Sequence, residues 1–336
     1  MNDRSQTNWA TALMPGFLLT ITLGALIWYL SKHVNWIDPL VAGILGGMLI
    51  RAIIGTRGHL TPGFAWTPKV LIPPGIILYA AHLRFDLDVV SPLIWFQLVV
   101  GLIIAIWAAR SIGSWFGLRD ATSLLIGVGT AICGASAIVI SKDAVEARPR
   151  DTATALIVIT IWGLAGLLFL PPLAGYIGMN ANEQGLLYAT TLHQTGLVKA
   201  AAAGVSSTCL NIAMAVKSAR IIGIIPLLLI AGTLHHLPSL TASRRTRKHY
   251  RVRIAWYLWA FIAAGICFNV IPAMTTIIPT CNFINTILWT MAMTSIGLTI
   301  NIKKVFASIG KPLITGLIAW IGVLVVFLYT FLVMRS

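Results

Sequence analysis

The sequence predicts an all-helical protein that crosses a membrane many times. Of its 336 residues, 58% are hydrophobic and only 10% are charged, whereas soluble proteins carry about 25% charged residues. The mean hydropathy is +0.88, and apolar runs long enough for a spanning helix recur along the whole chain. This composition argues against a water-soluble globular enzyme. We therefore predict a polytopic membrane protein with one domain over residues 1–336.

Eleven apolar segments alternate with polar residues, and no linker is long enough to separate a soluble domain. The segments cover residues 12–30, 37–54, 69–83, 90–109, 120–141, 152–170, 185–204, 209–233, 254–272, 282–301 and 312–334. Most of these runs are long enough for a helix to span the hydrocarbon core. The sequence thus predicts nine to eleven membrane segments, depending on how two unusual ones cross.

The two unusual segments are interrupted in their middle. Segment 120–141 contains Gly127, Gly129 and Gly134 among small residues, and segment 185–204 has a polar run at residues 190–195. Irregular backbone at membrane depth is tolerated only where it is buried in protein or lines a cavity. Transporters place their binding sites at such discontinuous helices. We predict two discontinuous or re-entrant helical elements that meet near the middle of the membrane.

The basic residues are distributed as membrane topology requires. The net charge of +15 could suit nucleic acid, but most of the 24 Lys and Arg residues lie in short loops, so we expect no such partner. If both interrupted segments are re-entrant, 18 basic residues lie inside and three outside; if both cross, the division is 15 to 6. The positive-inside rule favours the former, with a cytoplasmic N-terminus and an external C-terminus. The basic run 244–253 also suits contact with membrane lipid.

A weak internal similarity predicts inverted repeats. Residues 75–83, followed by the fourth segment, resemble residues 291–298, followed by the last segment. Two re-entrant elements that enter from opposite faces are what an inverted repeat produces.

Two basic residues lie deep inside an apolar segment. Lys217 and Arg220 lie about 12 and 16 Å from the outer face, and their i, i+3 spacing places them on one side of a helix. All nine acidic residues lie in loops or at segment ends. Two interpretations stay open: the pair compensates the charge of an anion, or it caps helix ends and pairs with backbone carbonyls. A third basic residue, Lys199, suits snorkelling towards the outer face.

Polar groups at the two interruptions complete the predicted site. The predicted substrate-binding residues are Thr130, Cys133, Gly134, Ser136, His193, Gln194, Thr195, Lys217 and Arg220. Backbone N–H groups at a helix start favour anions, although small residues at the first interruption also suit tight helix packing. The imidazole of His193 suits either a proton carrier or a hydrogen-bonded packing residue.

Sequence motifs for metal binding, redox chemistry and enzymatic catalysis are absent. The four cysteines have neither CxxC spacing nor a cluster with histidine. HExxH, GxSxG and P-loop motifs are absent from the sequence. We therefore expect no metal site, no cofactor and no enzymatic activity.

Five motifs together resemble one known family. They are Gly75-Ile-Ile-Leu-Tyr, Gly127-Val-Gly-Thr-Ala-Ile-Cys-Gly-Ala-Ser-Ala-Ile, Thr191-Leu-His-Gln-Thr-Gly-Leu-Val, Lys217-Ser-Ala-Arg220 and Met293-Thr-Ser-Ile-Gly-Leu. With them, nearly the whole chain resembles the bacterial YeiH-type sulfate exporter family. The resemblance implies an inner-membrane transporter with inverted repeats and broken helices, distantly similar to bile-acid/sodium symporters and cation/proton antiporters.

Three positions depart from the pattern of that family. Gln194 stands where its members carry an acidic residue, Leu197 stands in place of a glutamine, and His82 stands in place of an arginine, with Arg84 nearby. The missing carboxylate beside His193 argues against coupling to a cation.

The sequence therefore predicts a secondary transporter that moves a small anion, with sulfate or a sulfonate as leading candidate. An anion that leaves a cell with a negative interior gains about 2.3 kcal/mol per charge per 100 mV, so export needs no coupling ion. The first alternative is a sodium- or proton-coupled symporter for an organic anion, and the second is a membrane partner subunit that transports nothing. The protein would be a multi-pass protein of the bacterial inner membrane. Whether it forms a homo-oligomer stays open.

Overall fold

The computed structural model describes residues 7–33, 39–55, 58–82, 90–224, 226, 256–301, 303, 305 and 307–335. Within these residues the chain forms thirteen α-helices and two short 3₁₀ helices, Ala80–His82 and Pro272–Ile277. The α-helices are α1 (Thr7–Ser31), α2 (Pro39–Ile54), α3 (Thr61–Tyr79), α4 (Pro92–Trp115), α5 (Asp120–Ala131), α6 (Ala135–Ser141), α7 (Pro149–Tyr176), α8 (Ala181–Thr191), α9 (Thr195–Ala203), α10 (Ser207–Ile222), α11 (Trp256–Val270), α12 (Ile278–Leu298) and α13 (Gly310–Arg335).

The all-helical fold predicted from the sequence is confirmed. Each of the eleven apolar segments overlaps a helix, and the two interrupted segments are split into α5 and α6 and into α8 and α9. Among the residues that the structure describes, four helices are long and apolar enough to cross a membrane, or five if a pair bent by 110° is counted as one span. The four are Ala12–Ser31, Pro92–Trp115, Pro149–Tyr176 and Gly310–Arg335. The larger number of nine to eleven segments and the inverted repeats stay predictions, and the basic run 244–253 lies outside the described residues.

The chain divides into two compact units. The first unit comprises Met1–His82 and Ala255–Ala307, and the second comprises Leu83–Ile254 and Ser308–Ser336. The first unit therefore contains α1 to α3, α11 and α12, and the second contains α4 to α10 and α13.

Close backbone approach holds the first unit together. Helices α2 and α12 meet at Gly47 and Gly297, where a Cβ on Gly47 would lie 3.0 Å from the Cα of Gly297. Helices α3 and α12 run antiparallel: Ser295 donates to the carbonyl of Phe64 (2.7 Å), and Asn285 donates to the carbonyl of Gly75 (3.1 Å). Small residues at helix interfaces are the usual way in which membrane helices approach one another.

The second unit has two ends, each marked by an ion pair. We call one the Asp151 end: Asp151 lies in the first turn of α7 and pairs with Arg119, which precedes α5. We call the other the Glu183 end: Glu183 lies in the first turn of α8 and pairs with Arg335 of α13 (2.9 Å). Large apolar side chains on α4 and α7 such as Trp107 are exposed, as expected for surfaces that face lipid.

Candidate functional site

The first interrupted element returns to the end of the unit from which it starts. At the Asp151 end, Thr122 of α5 donates to the carboxylate of Asp151 (2.8 Å). After α6, the N–H of Ala147 donates to the carbonyl of Lys142 (2.9 Å), so a tight turn joins the end of α6 to the start of α7. The start of α5 and the end of α6 therefore lie together beside the start of α7.

The second interrupted element has the same arrangement at the other end. Gly185, near the start of α8, approaches α10 so closely that a Cβ would lie 2.9 Å from the carbonyl oxygen of Cys209. Helix α9 ends in a tight turn, and Ser206 then caps α10 by accepting from the N–H of Cys209 (3.1 Å). The start of α8 and the end of α9 therefore both lie beside the start of α10.

The two interruptions contact each other in the middle of the unit. Gly134 has φ 72° and ψ −119°, a conformation that only glycine adopts readily. A Cβ there would lie 2.9 Å from Cγ of Gln194 and 3.4 Å from the carbonyl carbon of His193. Position 134 therefore requires glycine for two reasons: the backbone has a positive φ, and a side chain would collide with the second interruption. We call residues 130–134 and 189–194 together the crossing.

Lys217 of α10 extends into the crossing. Its ammonium group is fully buried and donates to three backbone carbonyls. The acceptors are Ile132 (3.0 Å), Leu192 (2.9 Å) and His193 (2.9 Å). One acceptor belongs to the first interruption and two to the second, so the side chain ties the two elements together.

Arg220, one turn further along α10, does the same from the same side. Its guanidinium is 5% exposed and donates to four carbonyls. The acceptors are Ala131 (2.7 Å), Ala189 (3.0 Å), Leu192 (3.0 Å) and Thr130. Because an α-helix leaves its last four carbonyls without partners and carries a negative dipole at that end, the two cations cap the C-terminal ends of α5 and α8.

This geometry corresponds to the second of the two interpretations that the sequence left open, carbonyl pairing. The ion pairs of the described residues join other side chains, namely Arg110–Asp120, Arg119–Asp151, Lys142–Asp143 and Arg335–Glu183. Within the part of the chain that the structure describes, the crossing thus contains two cationic side chains without a carboxylate.

His193 and Gln194 lie at the second interruption. The imidazole of His193 is fully buried, and neither of its ring nitrogens has a hydrogen-bond partner among the described residues. Its ring centroid lies 5.9 Å from that of Trp320, whose indole donates to the carbonyl of Thr191 (3.0 Å). The side chain of Gln194 donates to the hydroxyl of Thr160 on α7 (3.3 Å).

The remaining predicted residues differ in their surroundings. The hydroxyl of Thr130 donates to the carbonyl of Ile126 in its own helix (2.9 Å). Thr130 contributes to the crossing through its backbone carbonyl, which accepts from Arg220. Cys133 is buried at the first interruption. Ser136 and Thr195 are half-buried at the starts of α6 and α9. The structure thus brings Gly134, His193, Gln194, Lys217 and Arg220 together.

Sequence reasoning missed Gln97. This residue lies in the apolar helix α4, its side chain is 4% exposed, and its Nε2 has no partner among the described residues. A single amide within segment 90–109 was the only available signal. A buried amide without a partner is costly, which makes its surroundings informative.

The chain is similar to a set of bacterial membrane proteins. It matches the family described as conserved hypothetical protein 698 over residues 15–316. A UPF0324 membrane protein of Bacteroides thetaiotaomicron is 28% identical over 298 residues, which are 86% of this chain and 87% of that protein. The UPF0324 membrane protein plu2856 of Photorhabdus laumondii is 28% identical over 333 residues, 92% of this chain and 90% of that protein.

A UPF0324 membrane protein of Helicobacter hepaticus is also 28% identical, over 329 residues that are 91% of this chain and 94% of that protein. No solved structure matches the chain. The family match covers well over half of the chain, and the relatives match most of its length. This protein therefore belongs to the family of conserved hypothetical protein 698, the UPF0324 membrane proteins, which is the YeiH-type family indicated by its motifs.

Proposed function

We propose that the protein is a secondary transporter that moves a small anion across the bacterial inner membrane through the second unit. The observation that carries this proposal is the crossing, where Lys217 and Arg220 are buried against backbone carbonyls and not against carboxylates. Ionisable residues inside a membrane are costly and mark ion pathways by default.

Charge balance at the crossing favours an anion. The end of each helix contributes the equivalent of about −0.5 elementary charge, so two helix ends offset about half of the two full positive charges. The surplus is positive, and no described carboxylate neutralises it. A bound anion would supply the missing negative charge, whereas a further cation would be repelled.

The start of α9 offers a place for such an anion. Its N-cap residue Gln194 makes no side-chain cap hydrogen bond, which leaves the first N–H groups of the helix available. Gly196 has open space beside it, since nothing lies within 4 Å of where a Cβ would stand. The hydroxyl of Thr195 is on the same turn. N–H groups, a hydroxyl and a positive helix end together suit an oxyanion such as sulfate or a sulfonate.

The same geometry argues against sodium coupling. In broken-helix transporters, helix C-terminal ends and unwound carbonyls coordinate the coupling cation. Here the carbonyls of Ile132, Leu192 and His193 already accept from Lys217, a fixed ammonium group. The ammonium group of Lys217 thus occupies the carbonyls that would otherwise coordinate a sodium ion. The membrane potential alone would then drive export, by about 2.3 kcal/mol per charge per 100 mV.

Orientation follows from the charges at the two ends of the second unit. The Asp151 end and its adjoining loops carry Arg110, Arg119, Lys142, Arg148, Arg150 and Lys311, whereas the Glu183 end carries Arg335. The positive-inside rule assigns the Asp151 end to the cytoplasm. The first element would then be re-entrant from the cytoplasm and the second from outside, with the C-terminus outside.

Sulfate flux in proteoliposomes tests the proposal. Vesicles loaded with labelled sulfate receive a potential from a potassium gradient and valinomycin, with and without sodium. We expect potential-driven, sodium-independent flux that is lost in Arg220→Met and partly kept in Arg220→Lys, which preserves the charge. Lys199→Met removes an exposed cation from α9 and is the matched control, with flux near that of wild type.

If wild type moves no sulfate, the same assay is run with sulfonates and carboxylates. The absence of potential-driven flux for all of these anions from folded wild-type protein would contradict the proposal. Flux that Arg220→Met leaves intact would remove the crossing from the transport path.

One observation favours a second candidate, proton-coupled symport. His193 is a buried imidazole whose two nitrogens lack partners among the described residues, and an imidazole can carry a proton near neutral pH. In this case a pH gradient drives anion flux without a membrane potential, and His193→Gln abolishes that flux. Flux that responds only to the potential, in wild type and in His193→Gln alike, argues for the first candidate.

A further inference from the structure

Gln97 lies between two cavities of the second unit. The larger cavity, of about 210 Å³, lies at the Glu183 end among α4, α8 and α13. Its polar lining consists of Gln97, Asn180, Asn182, Glu183 and Thr330. The smaller one, of about 10 Å³, lies deeper and is lined by Gln97, Thr190, Arg220 and apolar residues. Gln97 is therefore the polar side chain that the two cavities share.

The two cavities differ in what they can hold. The larger one has room for a tetrahedral oxyanion. Its carboxylate, Glu183, is paired with Arg335 at 2.9 Å, so its entrance does not carry an unpaired negative charge. The deeper one has about the volume that a single water molecule requires. It is lined by Gln97 of the larger cavity and by Arg220 of the crossing, and at this volume it would have to widen for an ion to pass.

Two side chains that line the smaller cavity have N–H groups available to donate to an oxygen of a ligand. The amide Nε2 of Gln97 carries two N–H groups and has no partner among the described residues. Arg220 uses four of its five N–H groups on carbonyls, which leaves one on Nη2 for a ligand. Gln97 also lies about 8 Å along α4 from the start of that helix, at a depth where an amide without a partner is costly.

We propose that Gln97 forms the constriction of an anion pathway that leads from the cavity at the Glu183 end to Arg220. Its carboxamide donates to an oxygen of a small oxyanion as the ion passes from the cavity to the guanidinium. This inference deepens the proposed function and rests on it for the ion that passes. It assigns a residue to selectivity that is not part of the crossing itself.

Cysteine labelling tests the pathway without requiring transport. Gln97→Cys is made in a chain whose exposed Cys267 is replaced by serine; Cys133, Cys209 and Cys281 are buried. In proteoliposomes, the variant is treated with two small thiol reagents of similar size, a methanethiosulfonate bearing a sulfonate and one bearing a quaternary ammonium. Phe96→Cys, next to it on α4 and 52% exposed on the apolar surface, is the matched control.

We expect the anionic reagent to label Gln97→Cys about tenfold faster than the cationic one, once each rate is divided by the rate of the same reagent with a small free thiol, because the positive charge of Arg220 beside position 97 attracts an anion. Millimolar sulfate should slow this reaction, and Phe96→Cys should stay unlabelled because its side chain faces lipid. Absence of labelling at position 97, or equal rates for the two reagents, would overturn the pathway even if sulfate flux is measured. Selective labelling without sulfate flux would support the pathway and locate the failure in the choice of substrate.

A second variant separates selectivity from folding. Gln97→Leu removes a buried group that lacks a partner, so thermal stability should stay equal or rise, while flux falls about tenfold or more. Gln97→Asn keeps the carboxamide and should retain part of the flux. Loss of both stability and flux in Gln97→Leu would indicate a structural role and contradict the inference.

Discussion

The two units of this protein differ in the polar side chains that they bury. Among the described residues of the first unit, the buried polar side chains are neutral, and Thr20, Thr67 and Ser295 donate to nearby backbone carbonyls. In the second unit, Lys217 and Arg220 are buried together with the imidazole of His193. Close approach at glycines packs helices in both units, but among the described residues only the second unit adds buried cations that cap broken helices.

This difference is the reason why the proposed function is assigned to the second unit. The hydroxyls of Thr20, Thr67 and Ser295 already donate to backbone carbonyls, so these donors are not available to a ligand. Buried cations carry a large desolvation cost, and the proposed anion transport would account for two of them at one place in the fold. Broken helices and buried charge are needed together, because each supplies what the other lacks: carbonyls without partners and donors without acceptors.

Removing either cation should have the largest effect on stability. Arg220→Met leaves the carbonyls of Thr130, Ala131 and Ala189 without this donor. Leaving a buried acceptor without a partner costs about 1–3 kcal/mol, and this substitution affects several carbonyls at once. We expect a clear fall in unfolding temperature, measured in detergent by size-exclusion chromatography after heating. Lys199→Met is the control, and equal unfolding temperatures for the two variants would contradict the role of the crossing.

Adding one methyl group to the first unit should have the next largest effect. A Cβ at Gly297 would overlap the carbonyl oxygen of Ile44 on α2, and the backbone of a packed helix cannot move aside cheaply. We expect Gly297→Ala to cost towards the upper part of the ~1–3 kcal/mol range for overpacking, measured as a fall in unfolding temperature. Gly101→Ala on α4 is the control, since the nearest atom there is 3.9 Å away. A loss no larger than that of the control would show that α2 and α12 separate easily.

A smaller effect is expected at the first interruption. Gly134→Ala forces a side chain into a backbone conformation with φ 72°, at a cost of about 1–3 kcal/mol. The effect should be smaller than at Gly297 because the nearest atom, Cγ of Gln194, belongs to a side chain that can move. Gly196→Ala, in open space at the second interruption, is the control for the measured unfolding temperature. Equal stability of the two variants would argue that the interruptions do not press on each other.

The smallest effect should come from the ion pair at the Glu183 end. The hydrogen bond from the guanidinium of Arg335 lowers the pKa of Glu183 below its ordinary value of 4.5. A carboxyl group with a lowered pKa stabilises the fold above its unfolded pKa, and this contribution is lost as the pH falls through the folded pKa. Exposed pairs contribute little, so wild type and Glu183→Gln should differ slightly at pH 7 and converge as the pH falls through the lowered pKa of Glu183. A gap that persists at acid pH would contradict this assignment.

Much of the fold could be predicted from residue patterns. Apolar runs indicate the helices because burying apolar side chains in lipid or protein requires no particular partner. The two interruptions are visible because Gly134 and the polar residues around His193 disturb otherwise apolar helices. The i, i+3 spacing of Lys217 and Arg220 also places them on one face of a helix without any structure.

Other features had no signal in the sequence. Gln97 is a single amide in an apolar helix, and its position between two cavities depends on how α4, α8 and α13 pack. The division into two units was not predicted either, because it depends on contacts between segments that are distant along the chain.

By itself, the sequence determined that this is an all-helical membrane protein with two broken elements and two deep cations. Tertiary structure alone decided what the cations bind. Lys217 reaches carbonyls of Ile132, Leu192 and His193, and the first of these lies 85 positions away along the chain. Every residue carries a backbone carbonyl of the same chemistry, so the residue type does not indicate which carbonyls will accept hydrogen bonds from Lys217. Only the folded chain, in which two helix ends meet beside α10, selects those acceptors.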